Sequence, residues 1–384
     1  MATVPNRAIF FTAWADPITS EFFPVSTNAL ITDQPQLDRI VSAQVAWLDP
    51  TFDKTAPGII GGTTPGPAFF TAINGGPLAG ARRLNINGAF EGWQRGDGPF
   101  TGNAGTRFAD MWFSARNNMS LVRSSDTPDA RFASSAEFSS TADTVAGIQM
   151  NIEARIARRA AGQRVTAGFW AKSVAGAGPL RVYFRTAGAE DNFSTVTLRE
   201  NLLVTASVSA GWTFYEVTSA APITGIENGL RVQIDREGSD TNQTRIAGVQ
   251  VEPSTVATPF EFWPGDSELL ARYRYFQRLL SGSLLRPVAG AGHATSATGA
   301  SFSLGFLAPM RAAPTLAVSS AGHFALTAST GADLAATSIA LTSGRVTQNR
   351  AEMTVNVASG LSSGNATNLR SINGAATFDL SAEL

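Results

Sequence analysis

The sequence predicts a mainly β protein: a jelly-roll sandwich, then a helix, then a C-terminal β-sandwich-like domain, all preceded by a small mixed region. Two observations carry this. Apolar and polar residues alternate with period two through much of residues 84–262 and again after 283, the pattern of strands with one face buried. Charged residues are only 15% of the 384 positions and hydrophobic ones 43%. Soluble chains typically carry roughly 25% charge, so closely packed sheets with partly covered surfaces are expected.

Residues 1–83 are rich in Pro and Gly and contain one helical stripe. Between Gln34 and Asp49, apolar residues fall at Leu37, Ile40, Val41, Val45 and Leu48, with Asp33 placed as N-cap and Pro35 in the first turn. Breakers such as Gly61-Gly62, Pro65-Gly66-Pro67 and Gly75-Gly76-Pro77 then mark Thr51–Ala81 as loop and linker. From residue 84 onward the alternation takes over. Ile148, Met150, Ile152, Ala154 and Ile156 alternate with Gln149, Asn151, Glu153 and Arg155, predicting one half-buried strand. Val165, Ala167 and Phe169 alternate with Thr166, Gly168 and Trp170; Val182 and Phe184 with Arg181, Tyr183 and Arg185; Leu230, Val232 and Ile234 with Arg231, Gln233 and Asp235. Many short strands without intervening helices make residues 84–262 a sandwich or jelly roll.

Within residues 263–282 a connecting helix is predicted over Asp266–Leu280, with Pro264 and Gly265 at its start. Leu269, Leu270, Tyr273, Phe276, Gln277 and Leu280 share one side. Tyr273, Tyr275 and Phe276 do not fit one narrow stripe, so apolar surface is expected on more than one side of this helix. These three are candidate subunit contacts. Residues 283–384 return to alternation, as in Phe302/Leu304/Phe306 and Met353/Val355/Val357, and form the C-terminal domain.

Composition excludes several classes of chemistry. Cysteine is absent, which removes disulfides, thiolate metal sites and cysteine nucleophiles. The formal net charge is −1, so no excess of cations points to nucleic acid. No apolar run approaches ~18 residues, and no membrane span is expected. Residues 1–7 lack the basic start and apolar run of a secretory signal. His293 and His323 lie in Ala/Ser/Gly surroundings without a third ligand nearby in sequence, so neither a metal site nor any cofactor is expected. No G-x-S-x-G elbow occurs, and Lys172-Ser173 lies in a strand rather than a phosphate loop. Asp235, Glu237, Glu252 and Glu261 are the carboxylates from which a glycoside-cleaving pair would have to come; each also sits where a strand edge or turn accepts a charge. Trp170, Tyr183 and Phe214, beside Arg181 and Arg185, are candidates for one sugar-binding face, with Trp170, Tyr183, Arg185 and Phe214 as its contacts.

Leu84-Asn85-Ile86-Asn87-Gly88-Ala89-Phe90-Glu91-Gly92-Trp93-Gln94-Arg95-Gly96 resembles the opening of the carbohydrate-binding-module-like jelly rolls of bacteriophage tail fibres, and Arg107–Trp112 the segment that follows it. Val249-Gln250-Val251-Glu252-Pro253 and Ala257-Thr258-Pro259-Phe260-Glu261 resemble its close. Glu268–Gln277 is similar to the helix that follows, and Pro309–Thr315 to a strand entry in C-terminal domains of such proteins. The resemblance covers residues 84–384. It implies a non-enzymatic virion protein: a homotrimer docked to other tail proteins through residues 1–83. Its distal β-domain would serve trimerisation and recognition of a host cell-surface glycan or protein. Ile246–Val249 lacks the aspartates that many sugar-binding relatives place around calcium, although Glu91 and Glu252 remain. Two alternatives stay open: a tail-borne glycan depolymerase, against which no fixed-period repeat is found, and a purely structural fibre.

Overall fold

The computed structural model describes residues 82–384 except 143–144, 177, 239–241 and 283–286. Before residue 82 it describes only the backbones of two-residue strands: β1 (Trp14–Ala15) pairs with β2 (Phe22–Phe23), and β3 (Ala72–Ile73) with β4 (Gly76–Pro77). The helix expected over 34–49 lies outside the described residues. Thr71–Leu384 forms one compact unit, and it is mainly β.

Two antiparallel sheets make the jelly-roll sandwich. One has six strands, in the order β13 (Thr213–Thr218), β10 (Val165–Ala175), β15 (Gln243–Pro253), β8 (Ser135–Ser140), β7 (Met119–Ser124) and β5 (Phe100–Gly102). The other has five: β12 (Asn192–Thr205), β11 (Leu180–Ala189), β14 (Leu230–Glu237), β9 (Val145–Ile152) and β6 (Trp112–Ser114). The alternation read from the sequence sets the inner faces. Ile148, Met150, Val165, Ala167, Phe169, Val182, Phe184, Val232 and Ile234 all lie in one buried core with Phe90, Phe108, Trp112 and Phe138. Each large side chain buried there contributes ~1.5–3 kcal/mol.

One strand is shorter than its alternation suggests. β9 stops at Ile152, and Ala154–Ala157 forms a helical turn instead. The reason is Glu153, whose carboxylate is buried and takes hydrogen bonds from Arg274 Nη2 (2.7 Å) and from the Tyr275 hydroxyl (2.7 Å).

The connecting helix is shorter as well: it spans Gly265–Tyr273, not 266–280. Asp266 and Glu268 in its first turn and Arg272 in its last complement the helix dipole. Phe276–Ser281 is strand β16, paired with β24 (Thr377–Ser381). Tyr275 and Phe276, expected as contacts between subunits, are only 1% and 3% exposed within their own chain. The Tyr275 hydroxyl is committed to Glu153, and the Arg95 guanidinium lies 3.6 Å over the Phe276 ring. Neither ring has surface left for a neighbour. Tyr273 is half-buried at the helix end, where the Gln277 amide donates to its carbonyl (3.0 Å).

The C-terminal domain is all β. β17 (Gly292–Ala294), β18 (Gly299–Gly305), β22 (Arg350–Val357), β21 (Asp333–Val346), β20 (Phe324–Thr327) and β23 (Ala366–Ser371) close into a barrel. Closure leaves no open sheet edge. β16, β24 and β19 (Thr315–Val318) form a three-stranded sheet beside it. Phe302, Phe324, Met353, Leu369 and Phe378 fill this second core.

Candidate functional site

The outward face of the five-stranded sheet gathers the richest set of polar and aromatic groups. Strand register builds it row by row. Asn201, Tyr183, Gln233, Gln149 and Phe113 align across all five strands. Beside that row run Arg185, Arg231 and Asn151, and on the other side Arg181, Asp235 and Gly147. Arg116, just after β6, reaches the same face through its ion pair with Asp235.

Hydrogen bonds fix these side chains in place. The Gln233 amide donates to both Asp235 oxygens (2.8 Å each) and accepts from Arg185 Nη1. Arg181 donates to Glu237 (3.0 Å) and to the Asn201 amide oxygen (3.3 Å), while the Tyr183 hydroxyl donates to Glu237 (3.3 Å). Arg231 Nε donates to the Asn151 amide oxygen (2.7 Å). Gly147 is required where it stands, since a Cβ there would come within 2.0 Å of Asp235 Oδ1. Side chains locked before a ligand arrives lose little freedom on binding it.

Burial and neighbouring charge shift the ionisations. Burial pushes the Asp235 carboxyl up, despite opposing help from Arg116 and Gln233. The Tyr183 phenol is also raised, by burial and then by Asp235 and Glu237. Burial lowers Arg185, and Arg231 is lowered to about 10 by burial and then by the neighbouring cations Arg185 and Arg107.

The four residues expected to share one sugar-binding face are split. Tyr183 and Arg185 lie on the five-stranded sheet; Trp170 and Phe214 are cross-strand partners on the outer face of the six-stranded sheet, with rings 5.5 Å apart. Tyr183 is 8% exposed, with the Arg185 guanidinium 5.0 Å from its ring centre. It is a floor beneath polar groups rather than an open stacking platform. The groups of this face that reach solvent are therefore the guanidiniums of Arg116, Arg181, Arg185 and Arg231 and the Asn201 amide, above buried Gln149, Gln233, Asn151 and Phe113, with Leu198 and Leu203 exposed along β12. Sequence reading missed Gln149, Asn201, Arg116 and Phe113 as members of this face. The alternation marked Gln149, Arg231 and Gln233 as outward, but which strands are neighbours was not legible.

Two of the four candidate carboxylates serve the scaffold. Glu252 is buried, accepts from the Thr258 amide (2.7 Å) and hydroxyl, and pairs with Arg82 (3.2 Å). Glu261 accepts from the backbone amides of Arg82 (3.0 Å) and Arg83 (3.2 Å). Asp235 and Glu237 do lie on the polar face, each ion-paired to an arginine. Among the described residues no group of three His, Cys, Asp or Glu side chains is arranged to hold a metal ion, and no helix is long and apolar enough to cross a membrane. His293 is exposed on β17, in a cleft with Arg345 and Glu352, which pair with each other. His323 Nδ1 lies 2.8 Å from the Ser319 hydroxyl.

The residues that carry the tail-fibre resemblance are structural. The Asn87 amide donates to the carbonyls of Gly92 (3.0 Å) and Asp110 (2.9 Å), and Trp112 Nε1 donates to the Asn87 carbonyl (3.0 Å). A Cβ at Gly88 would come within 2.0 Å of the Val249 carbonyl oxygen. Gln94 donates to Asp110 (3.0 Å) and to the Phe276 carbonyl (3.1 Å), and accepts from the Arg278 amide (3.1 Å). Arg95 pairs with Glu383 (2.5 Å). This run joins the sandwich to the C-terminal domain.

No family model and no curated protein sequence matches the chain. Solved structures similar to it include the CBM22-2 xylan-binding domain from Paenibacillus barcinonensis Xyn10C, at 16% identity and TM-score 0.28, over 38% of this chain and 92% of that one. A family 11 carbohydrate-binding module from Clostridium thermocellum, in complex with a mixed-linked tetrasaccharide, aligns at 12% identity and TM-score 0.28, over 38% and 89%. The enzymatically active domain of bacteriophage CBA120 tailspike protein 4 aligns at 15% identity and TM-score 0.30, over 44% of this chain and 21% of that one.

Proposed function

We propose that this is a non-catalytic bacteriophage tail protein that holds a host-surface glycan on the outward face of its five-stranded sheet. The carrying observation is the row Asn201–Tyr183–Gln233–Gln149–Phe113 with its flanking arginines. Fixed donors and acceptors of this kind suit the hydroxyls of sugars. Asp235 and Glu237 are held by Arg116 and Arg181, which favours binding over the acid–base work of a depolymerase. Incubated with host polysaccharide, the protein should retain it without releasing oligosaccharides; release would favour the enzyme, and no retention the purely structural fibre. Arg185→Ala should weaken retention by roughly ten- to a hundredfold, as expected for a charged hydrogen bond worth roughly 1.5–3 kcal/mol.

The place on the virion rests on the resemblance of residues 84–384, and so does the homotrimer, which the low charge content also suits. Residues 1–83 would dock the chain to other tail proteins. Light scattering at micromolar concentration should give three copies, and a chain starting near Arg82 should stay trimeric yet fail to join tails. A monomer of the full chain rejects the trimer, and lost β-structure in the shorter chain rejects the boundary.

A further inference from the structure

Arg185 on β11 and Arg231 on β14 stand directly opposite each other on the face described above. Like charges at such a cross-strand position destabilise a sheet. Asp235 eases the charge on Arg185 without bonding to it, and its ion pair is with Arg116; Glu237 forms its own with Arg181. A third cation, Arg107, lies close enough to act on Arg231 and stacks over Phe113 at 4.4 Å; its own ion pair is with Glu383 at 3.6 Å. Among the described residues, Arg185 and Arg231 make no ion pair. Their hydrogen bonds go to neutral acceptors: the Gln233 amide for Arg185, and the Asn151 amide and the Phe193 carbonyl (3.3 Å) for Arg231. Both are half-buried, with solvent on one side.

Two guanidinium groups held side by side, partly desolvated and neither in an ion pair, make a receptor for an anion. The planar fork of arginine matches the two oxygens of a carboxylate or sulfate. We infer that the glycan held on this face is acidic, with the carboxylate or sulfate of one sugar residue seated between Arg185 and Arg231. This rests on the glycan-binding reading above and adds the charge class of the ligand. The depressed ionisation of Arg231 is the electrostatic cost that such an anion would offset.

The test is a panel of immobilised sugars in charged and neutral pairs: oligogalacturonate and its methyl ester, sialyllactose and lactose, dextran sulfate and dextran. The full-length chain should prefer the charged member of at least one pair by tenfold or more, and the preference should shrink as salt rises. Whether it falls on the carboxylated or the sulfated pairs identifies the anion. Arg185→Gln should abolish the preference while leaving weaker retention of the neutral member, and it spares the bonds that Arg231 makes to Asn151 and Phe193. Arg231→Lys, which keeps a cation but not the fork, should lose most of the preference and leave the melting temperature near that of the parent. Equal retention of charged and neutral members overturns the acidic ligand while glycan binding stands. Retention of no sugar overturns both readings. A preference that survives Arg185→Gln and Arg231→Lys overturns the assignment to this pair.

Discussion

Replacing Glu268 by alanine should cost ~3–5 kcal/mol, the range for stranding one member of a buried ion pair. Arg83 is 1% exposed, packed with its guanidinium 4.6 Å from the Trp263 ring centre and 5.1 Å from that of Phe260. Burial lowers its ionisation, and Glu268 is the chief group opposing that shift. The Glu268 carboxylate also accepts from the backbone N–H of Asn87, so its loss leaves a buried charge and a buried backbone N–H without their acceptor. Thermal unfolding of the variant should begin on the order of 10 °C lower. Replacing Arg83 by Met and Glu268 by Leu together should recover much of the loss, because both charges then leave the interior. A single variant that melts within a degree of the parent would show that the pair contributes nothing.

The second large effect is expected at Glu153. Its carboxylate lies under the junction of the two β-domains and receives Arg274, Tyr275 and Arg155 Nε (3.1 Å). Burial acts to raise its ionisation, but the hydrogen bonds from Arg274 and Tyr275 outweigh that and hold the carboxyl below its ordinary value of 4.5. A carboxylate held low in the folded state stabilises that state above its unfolded pKa and ceases to do so as pH falls through the folded one. Glu153→Ala should therefore cost ~2–3 kcal/mol at neutral pH, somewhat less than Glu268→Ala because Arg274 keeps some contact with water. The gap between parent and variant should narrow as pH drops below about 4, when the parent loses the same interaction. A gap of constant size down to pH 2 would mean that packing, not the charge, is what the variant loses.

Much of the sandwich was legible because period two decides which side chains face inward, and burial then enforces it. Val182 and Phe184 inside, with Arg181, Tyr183 and Arg185 outside, is such a case. Neighbour choice among strands was not legible. Trp170 and Tyr183 are both outward-facing aromatics, yet they stand on opposite sheets because β10 joins β15 while β11 joins β14. The overlong helix has a different cause. Phe276 and Leu280 fit a helical stripe as readily as a strand face, and hydrogen bonds to β24, about a hundred residues away, settled it. Glu153 read as a solvated position in an alternating run. Its burial depends on Arg274 and Tyr275, far along the chain, and no local pattern announces that.

The clamp between Arg95 and Glu383 has a mechanical meaning. The C-terminal domain is tied to the sandwich at both of its ends. The covalent segment through Tyr275 forms one tie; the other is the run Ser381–Leu384, whose Glu383 meets Arg95 and whose last main-chain oxygen accepts from Arg107 and Asn151. A pull on the barrel is thus shared by two anchors loaded in parallel, and the joint resists hinging as well as stretching.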